Sequence, residues 1–335
     1  MIPCCFHPTR VVVIDDNSEF LHNLNQNLLK DYASYHYFKN PQKALHFLND
    51  VYQPDPFPNR YIKTLDEDKW EHRSLDVNIW DTYLEVYRPQ RFEEISVVIV
   101  DYSMPGMSGL EICKRIKDPN IQKILLTGIA DESLAIHAFN EGLIQAYVRK
   151  QDFHMSDLLN EAVEKAQWRY FNRFSEITLK AIAIADSENQ AIADSKFQAF
   201  FKSLLKRYKF REAYLCEAMG SYLFLTKEGT AYGLVVRNED EVELYAESAE
   251  MKQVKRSLVQ ELQDGKKMMF HHNRYSSLTP PSKKEWENHL YPSRAFHGAL
   301  ETYYYAFAPG MFNIDPARVL SFERYAEDRR FEVHS

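Results

Sequence analysis

The sequence predicts an α/β fold: a doubly wound sheet of five parallel strands with a long insertion, then a long helix and an α+β domain with antiparallel pairing. Three observations carry this. Five short apolar runs in the first 150 residues each lead into a helical pattern, and parallel strands need crossover helices that bury both faces of a sheet. Residues 155–185 keep helical periodicity without a glycine or proline. The remaining residues mix helical patterns with hairpin-like strand pairs.

The chain of 335 residues is 45% hydrophobic, enough for two packed domains. Its net charge is -7, with both signs mixed along the chain. No basic field for nucleic acid or anionic lipid is evident, so proteins or small ligands are the expected partners. No apolar run approaches the roughly 18 residues of a membrane span, and the N-terminal MIPCCFHPTR lacks a hydrophobic secretion segment. A cytoplasmic protein without membrane contact is expected. Cys4, Cys5, Cys113 and Cys216 show no zinc spacing and are read as reduced thiols.

RVVVIDD (10–16) is a buried-strand run, and Leu21, Leu24 and Leu28 share one face of the helix that follows. YHYF (35–38) is a second strand, after which Pro41 opens a helix with Ala44, Phe47, Leu48 and Val51 on one side. Residues 52–94 then interrupt the alternation. They carry Trp70, Trp80, Tyr83 and Tyr87, and Leu75, Ile79, Tyr83 and Val86 recur at helical spacing, so at least one helix is expected there. Alternation resumes with VVIVD (97–101), LEICKRI (110–116), KILLTG (123–128), SLAIHAFNEG (133–142) and AYVRK (146–150).

In doubly wound sheets chemistry gathers at the carboxyl ends of the strands. The first strand ends on Asp15 and Asp16, the third on Asp101, the fourth on Thr127 and the fifth on Lys150. Three carboxylates close together resist ionising together, a conflict that a hard divalent cation relieves. Mg²⁺ suits one or two carboxylates together with water and phosphate oxygens. Lys150 and Thr127 add a charge and a hydroxyl suited to phosphate.

With these positions in order, and with a D-x-x-M-P-x-M-x-G turn opening at Asp101, the first 150 residues resemble the receiver domain of two-component response regulators. The resemblance implies a flavodoxin-like receiver in which Asp101 accepts a phosphoryl group from a histidine kinase or phosphotransfer protein. It further implies that Asp16 binds Mg²⁺ directly, Asp15 through water, and Asp101 and the backbone carbonyl of Ser103 as ligands. Thr127 and Lys150 would then bind phosphate, and Tyr147 would be the aromatic that swings inward on phosphorylation.

Two departures from the family stand out. Gln151 follows Lys150 where receivers usually carry proline, so a trans bond is expected there, and the insertion stretches the spacing from Asp16 to Asp101. Ile129 lies where the family tunes water access to the phosphoryl group; a bulky side chain there would prolong phosphorylation, or simply pack on the sheet. His271 and His272 lack further metal ligands nearby in sequence and are read as surface residues.

The expected organisation is a receiver at 1–154, a linker or dimerisation helix at 155–185 and an output domain at 186–335. Leu159, Val163, Ala166, Tyr170, Phe174, Ile177, Ala181 and Ile184 form an apolar stripe on the long helix. It suits a homodimer seam, or packing against the protein's own insertion or output domain. In the output region FQAFFKSLLKRYKF reads as a helix, SYLFLT and AYGLVVR as a hairpin, Glu243–Leu262 as a helix, and KMMFHH and TYYYAFAP as strands. No helix-turn-helix, cyclase, esterase or phosphate-loop motif occurs, and roughly 21 basic residues balance 22 acidic ones. A protein-interaction or ligand-sensing output is therefore expected first. A transcription factor of unfamiliar fold comes second, and an enzyme or nucleotide-binding output built on Tyr303–Tyr305 and the hairpin third.

Overall fold

The computed structural model describes the chain apart from residues 54, 56, 67–72, 129–131, 186–190, 272–282, 329–330, 332 and 335. In chain order the strands are β1 (Cys5–Phe6), β2 (Thr9–Ile14), β3 (Ala33–Phe38), β4 (Ile62–Asp66), β5 (Arg73–Val77), β6 (Ile95–Asp101), β7 (Gln122–Thr127) and β8 (Ala146–Arg149). They continue with β9 (Phe210–Leu215), β10 (Tyr222–Thr226), β11 (Ala231–Arg237), β12 (Lys267–Met269), β13 (Leu290–His297), β14 (Thr302–Pro309) and β15 (Val333–His334). The first helices are α1 (Ser18–Asn27), α2 (Pro41–His46), α3 (Phe57–Tyr61), α4 (Gly109–Arg115), α5 (Glu132–Asn140) and α6 (Met155–Ala185). After them come α7 (Ser195–Tyr208), α8 (Glu239–Met251), α9 (Arg256–Gln263), α10 (Lys283–Asn288) and α11 (Phe322–Glu327).

Two compact units emerge. One comprises His7–Arg60, Pro89–Phe174 and Phe322–Ser335; the other comprises Met1–Phe6, Tyr61–Arg88 and Ser175–Ser321. This division departs from contiguous boundaries at 154 and 185. The first six residues and most of the insertion belong with the second unit, and the last fourteen return to the first.

The first unit is built on a parallel sheet in the order β15-β3-β2-β6-β7-β8. The five strands read from the sequence are all present, and β15 adds a sixth at the edge beside β3. A two-residue strand carries no periodicity, so its pairing was not visible in the sequence. Alternate side chains enter opposite cores. Val12, Ile14, Val98 and Val100 pack with α2, α4 and α5, while Val11, Val13, Val97 and Ile99 pack with α1 and α6. Helix starts are fixed locally: Asn17 caps α1, Asn40 caps α2 ahead of Pro41, and Ser108 caps α4, each through its side-chain oxygen.

The long helix α6 forms as expected, but the first part of its stripe is already used. Leu159, Val163 and Ala166 are buried in the core beneath α1, and burying the Leu159 side chain contributes about 2 kcal/mol. Tyr170 is buried and donates to Glu94 at 2.6 Å. The homodimer seam expected along 155–185 is thus corrected for these four residues, which cannot also cover a second copy. Ile177, Ala181 and Ile184 lie outside the described side chains.

The second unit is an antiparallel sheet in the order β1-β9-β10-β11-β14-β13-β12. The β10–β11 hairpin pairs Leu225 with Ala231 around the expected Lys-Glu-Gly turn. The single helix expected from Glu243 to Leu262 is instead two, because Gln253 takes a left-handed φ of 54° between α8 and α9. The insertion contains the short α3, a hairpin β4–β5 and two 3₁₀ turns at Trp80–Tyr87 and Pro89–Glu93. A helix is present, yet Leu75, Ile79, Tyr83 and Val86 do not share one, since Leu75 lies in β5. The Thr82 hydroxyl donates to the Leu215 carbonyl, tying this segment to β9. Among the described residues no helix is long and apolar enough to cross a membrane.

Candidate phosphoacceptor site

The order of the parallel sheet reverses between β2 and β6, and the chain leaves their carboxyl ends on opposite sides of that crevice. Asp15 follows β2 and Asp101 ends β6. With Asp16 they form a group whose carboxylate oxygens all lie within 4.8 Å of one another. Asp15 and Asp101 are buried and Asp16 is exposed. Lys150, at the end of β8, reaches both buried acids, with Nζ at 2.7 Å from Asp15 Oδ2 and 2.8 Å from Asp101 Oδ1. Its ammonium also sits 4.5 Å from the centre of the Phe20 ring. Among the described residues all peptide bonds are trans, including that between Lys150 and Gln151.

The electrostatics are those of an acidic cluster short of counter-charge. Burial pushes the Asp15 carboxyl above its usual range, and Lys150 offsets this only in part. Asp101 is likewise raised by burial and, secondarily, by Asp15, against Lys150 and the Ser103 N–H. For Lys150 burial works against the ammonium, but the hydrogen bonds it donates to Asp101 and Asp15 outweigh it and raise its pKa. The donor set is therefore all hard oxygen, partly desolvated and electrostatically strained. This fits Mg²⁺.

Thr127 is fully buried at the end of β7, and its hydroxyl has no hydrogen-bond partner among the described residues. A buried hydroxyl without a partner is costly enough to need an explanation. Tyr147 is half-buried on β8, with its ring 6.4 Å from Phe139 on α5. Ser103 donates its backbone N–H to Asp101. Ile129 and His272 lie outside the described residues, and no metal-ligand cluster includes His271 among those that are described.

The loop after Asp101 explains its own sequence. Met104 and Met107 are buried and anchor it in the core, and Gly106 takes a φ of +81° at the turn between them. Gly109 opens α4 directly against β6, where a Cβ would stand 2.2 Å from the Asp101 carbonyl oxygen. The last glycine of the turn is thus required by close packing, a role the motif hinted at but did not specify. The Phe20 ring beneath Lys150 carried no signal in the sequence.

The response regulator receiver domain family matches residues 64–163. That span includes Asp101, Thr127 and Lys150, and the structure supplies Asp15 and Asp16 from the end of β2, earlier in the chain. The hydrogenase transcriptional regulatory protein HoxA of Cupriavidus necator is 33% identical over 106 residues, covering 30% of this chain but only 21% of that protein. The response regulator receiver protein CpdR of Brucella abortus is 30% identical over 97 residues, which are 28% of this chain and 78% of that protein. The solved structure of the Legionella pneumophila response regulator LqsR is 34% identical and superposes with a TM-score of 0.77, covering 98% of this chain and 96% of that one. Similarity at this level along both chains, with the acidic site on the receiver sheet, shows that the chain belongs to the response regulators, with a receiver domain and an additional C-terminal region.

Proposed function

We propose that the protein is a cytoplasmic phosphorelay switch in which Asp101 takes a phosphoryl group from the phosphohistidine of a histidine kinase or phosphotransfer protein. The observation that carries this is the convergence of Asp15, Asp16, Asp101 and Lys150 beside the unpartnered Thr127 hydroxyl.

A carboxylate oxygen of Asp101 forms the new O–P bond as the N–P bond of the phosphohistidine breaks, and the bonding pair leaves with the imidazole nitrogen. A carboxylate is a modest nucleophile, so rate comes from alignment and from neutralising charge on the transferring group. Asp15, Asp16, Asp101 and the Ser103 carbonyl would hold Mg²⁺, which when bound neutralises phosphoryl oxygen charge. Lys150 pairs with the phosphate from the opposite side, and Thr127 turns its free hydroxyl toward it. Tyr147 follows Thr127 inward, altering the face formed by α5 and β8. That face exposes Phe139, whose ring lies 6.4 Å from that of Tyr147, and we assign homodimer contact to it rather than to the buried part of α6.

Incubation with a small phosphodonor or a phosphorylated kinase tests the assignment directly. Labelling is expected for the wild type with Mg²⁺, and is lost on chelation or in Asp101→Asn. Persistent labelling of a folded Asp101→Asn protein would overturn the acceptor assignment.

A further inference from the structure

The near balance of charge in the C-terminal region conceals a sharp segregation. Helix α7 carries Lys196, Lys202, Lys206 and Arg207 and no acidic residue, with Lys209 just beyond its end. Helix α8 carries Glu239, Asp240, Glu241, Glu243, Glu247 and Glu250 and no basic one. An even total therefore does not describe α7 itself, whose side chains are cationic, while the acids Asp194, Glu301 and the first turn of α8 stand together at its N-terminal end.

That surface is also aromatic. Helix α7 buries Phe197, Phe201 and Leu204 on one face of the antiparallel sheet, with the Phe201 ring 4.7 Å from Tyr222 and 5.4 Å from Phe224. Alongside the helix, β13 and β14 continue the same face with Phe296, Tyr305 and Phe307, all only half-buried. Phe200 lies 5.2 Å from Phe296 and 4.9 Å from Tyr305, and Tyr208 lies 4.9 Å from Phe307. Arg294 is exposed, is the cross-strand partner of Tyr305, and shares a strand face with Phe296 two residues on. Arg207, exposed on α7, holds its guanidinium 5.6 Å from the Tyr208 ring.

Rings left partly open on a sheet, interleaved with guanidinium and ammonium groups, match the needs of one class of ligand. Unpaired bases stack on such rings, and the phosphates between them seek the cations. A duplex keeps its bases stacked on each other and would leave the rings idle. An acidic peptide would engage the cations but has no matching use for a row of aromatics. We propose that this face of the antiparallel domain binds single-stranded nucleic acid, its bases on Phe296, Tyr305 and Phe307 and its phosphates facing Arg294 and Arg207. The inference goes beyond the phosphorelay and does not depend on it.

Anisotropy titrations of the full chain with labelled DNA and RNA strands of about 16 nucleotides, against the matching duplexes, test this. Saturable single-strand binding is expected, at least about tenfold tighter than to duplex, and weakening between about 50 and 200 mM salt. A preference for RNA or for DNA supports the proposal either way and identifies the sugar. The double variant Arg207→Glu, Arg294→Glu, both at exposed positions, should weaken binding by about tenfold or more and flatten the salt dependence. Phe296→Leu keeps apolar volume but removes a ring, and should weaken binding about fivefold without changing the salt slope. Lys252→Glu, beyond the acidic helix, should change neither. Circular dichroism and urea melts confirm that each variant is folded. The proposal is overturned by no saturable binding at low salt, by equal affinity for duplex, by folded variants that bind like wild type, or by polyphosphate competing as well as the oligonucleotide. It is equally overturned if the charge-reversed variant loses self-association while no strand binds, since the occupant is then a second copy's acidic helix.

Discussion

Asp101 in the parallel-sheet unit and Asp194 in the antiparallel unit are both buried aspartates, yet their surroundings treat the charge in opposite ways. Asp101 meets the Lys150 ammonium and the Ser103 N–H, and burial still pushes its carboxyl up. Asp194 caps α7 through Oδ1, which accepts from Lys196 N at 2.8 Å and Phe197 N at 3.2 Å, while Oδ2 accepts from Ala299 N at 2.6 Å and Leu300 N at 2.7 Å. Burial opposes that charge too, but the four N–H groups outweigh it and hold the carboxyl below its usual range. Even Gly298 serves the arrangement, since a Cβ there would stand 2.4 Å from Oδ2. A carboxylate whose lone pairs are all engaged fixes a helix to a hairpin. One left short of donors is available to react.

The comparison is broken most directly by exchanging its two members. Asp101→Asn should abolish phosphoryl labelling, a loss of at least about a hundredfold, because an amide cannot serve as the nucleophile. Its unfolding free energy should stay within about 1 kcal/mol of wild type, since Lys150 keeps Asp15 as partner. Urea melts read alongside labelling check both halves. A large stability loss would mean that Asp101, like Asp194, is structural.

Asp194→Asn should do the reverse. The side chain keeps one acceptor oxygen but turns an NH₂ toward two backbone N–H groups, so a loss of about 2–4 kcal/mol is expected. Labelling of Asp101 should persist under conditions where the variant remains folded. If urea melts show no loss, the four hydrogen bonds do not carry the weight given to them.

Acid sharpens the same contrast. The Asp194 pKa is lower in the folded protein than the ordinary 3.8. Its contribution is therefore fully present above about pH 5, and disappears as pH falls below 3.8 through the folded value. The stability gap between wild type and Asp194→Asn should be flat at neutral pH and close only in that acidic window. A gap that closed near neutrality would point to another titrating group.

What the sequence disclosed follows the same division between periodic and cooperative features. Strand runs, helix faces and the order Asp15, Asp16, Asp101, Thr127, Lys150 are written in local pattern, and the structure brings them together at one sheet edge. Residues whose meaning depends on distant backbone were not visible. Asp194 is an ordinary acid before a helix until Ala299 and Leu300 arrive from over a hundred residues away. Likewise β1 and β15 are too short to show a period, and each is recruited by a sheet formed elsewhere in the chain. The charge total of the C-terminal region is limited for a related reason. Totals average over faces, and α7 and α8 carry their charges as separate helices.

The smallest expected effect falls on Thr127, where stability and reactivity should move in opposite directions. Its buried hydroxyl lacks a partner among the described residues, so Thr127→Val removes an unsatisfied polar group at nearly constant shape. A gain of about 0.5–1 kcal/mol in unfolding free energy is expected. If the hydroxyl is held free to meet a phosphoryl oxygen, the same variant loses one hydrogen bond to the phosphorylated state. That bond, worth about 1 kcal/mol, corresponds to roughly a fivefold drop in labelling at limiting donor. Urea melts and labelling time courses on the two proteins separate these effects. A variant both less stable and equally reactive would show that Thr127 belongs with the satisfied, structural groups typified by Asp194.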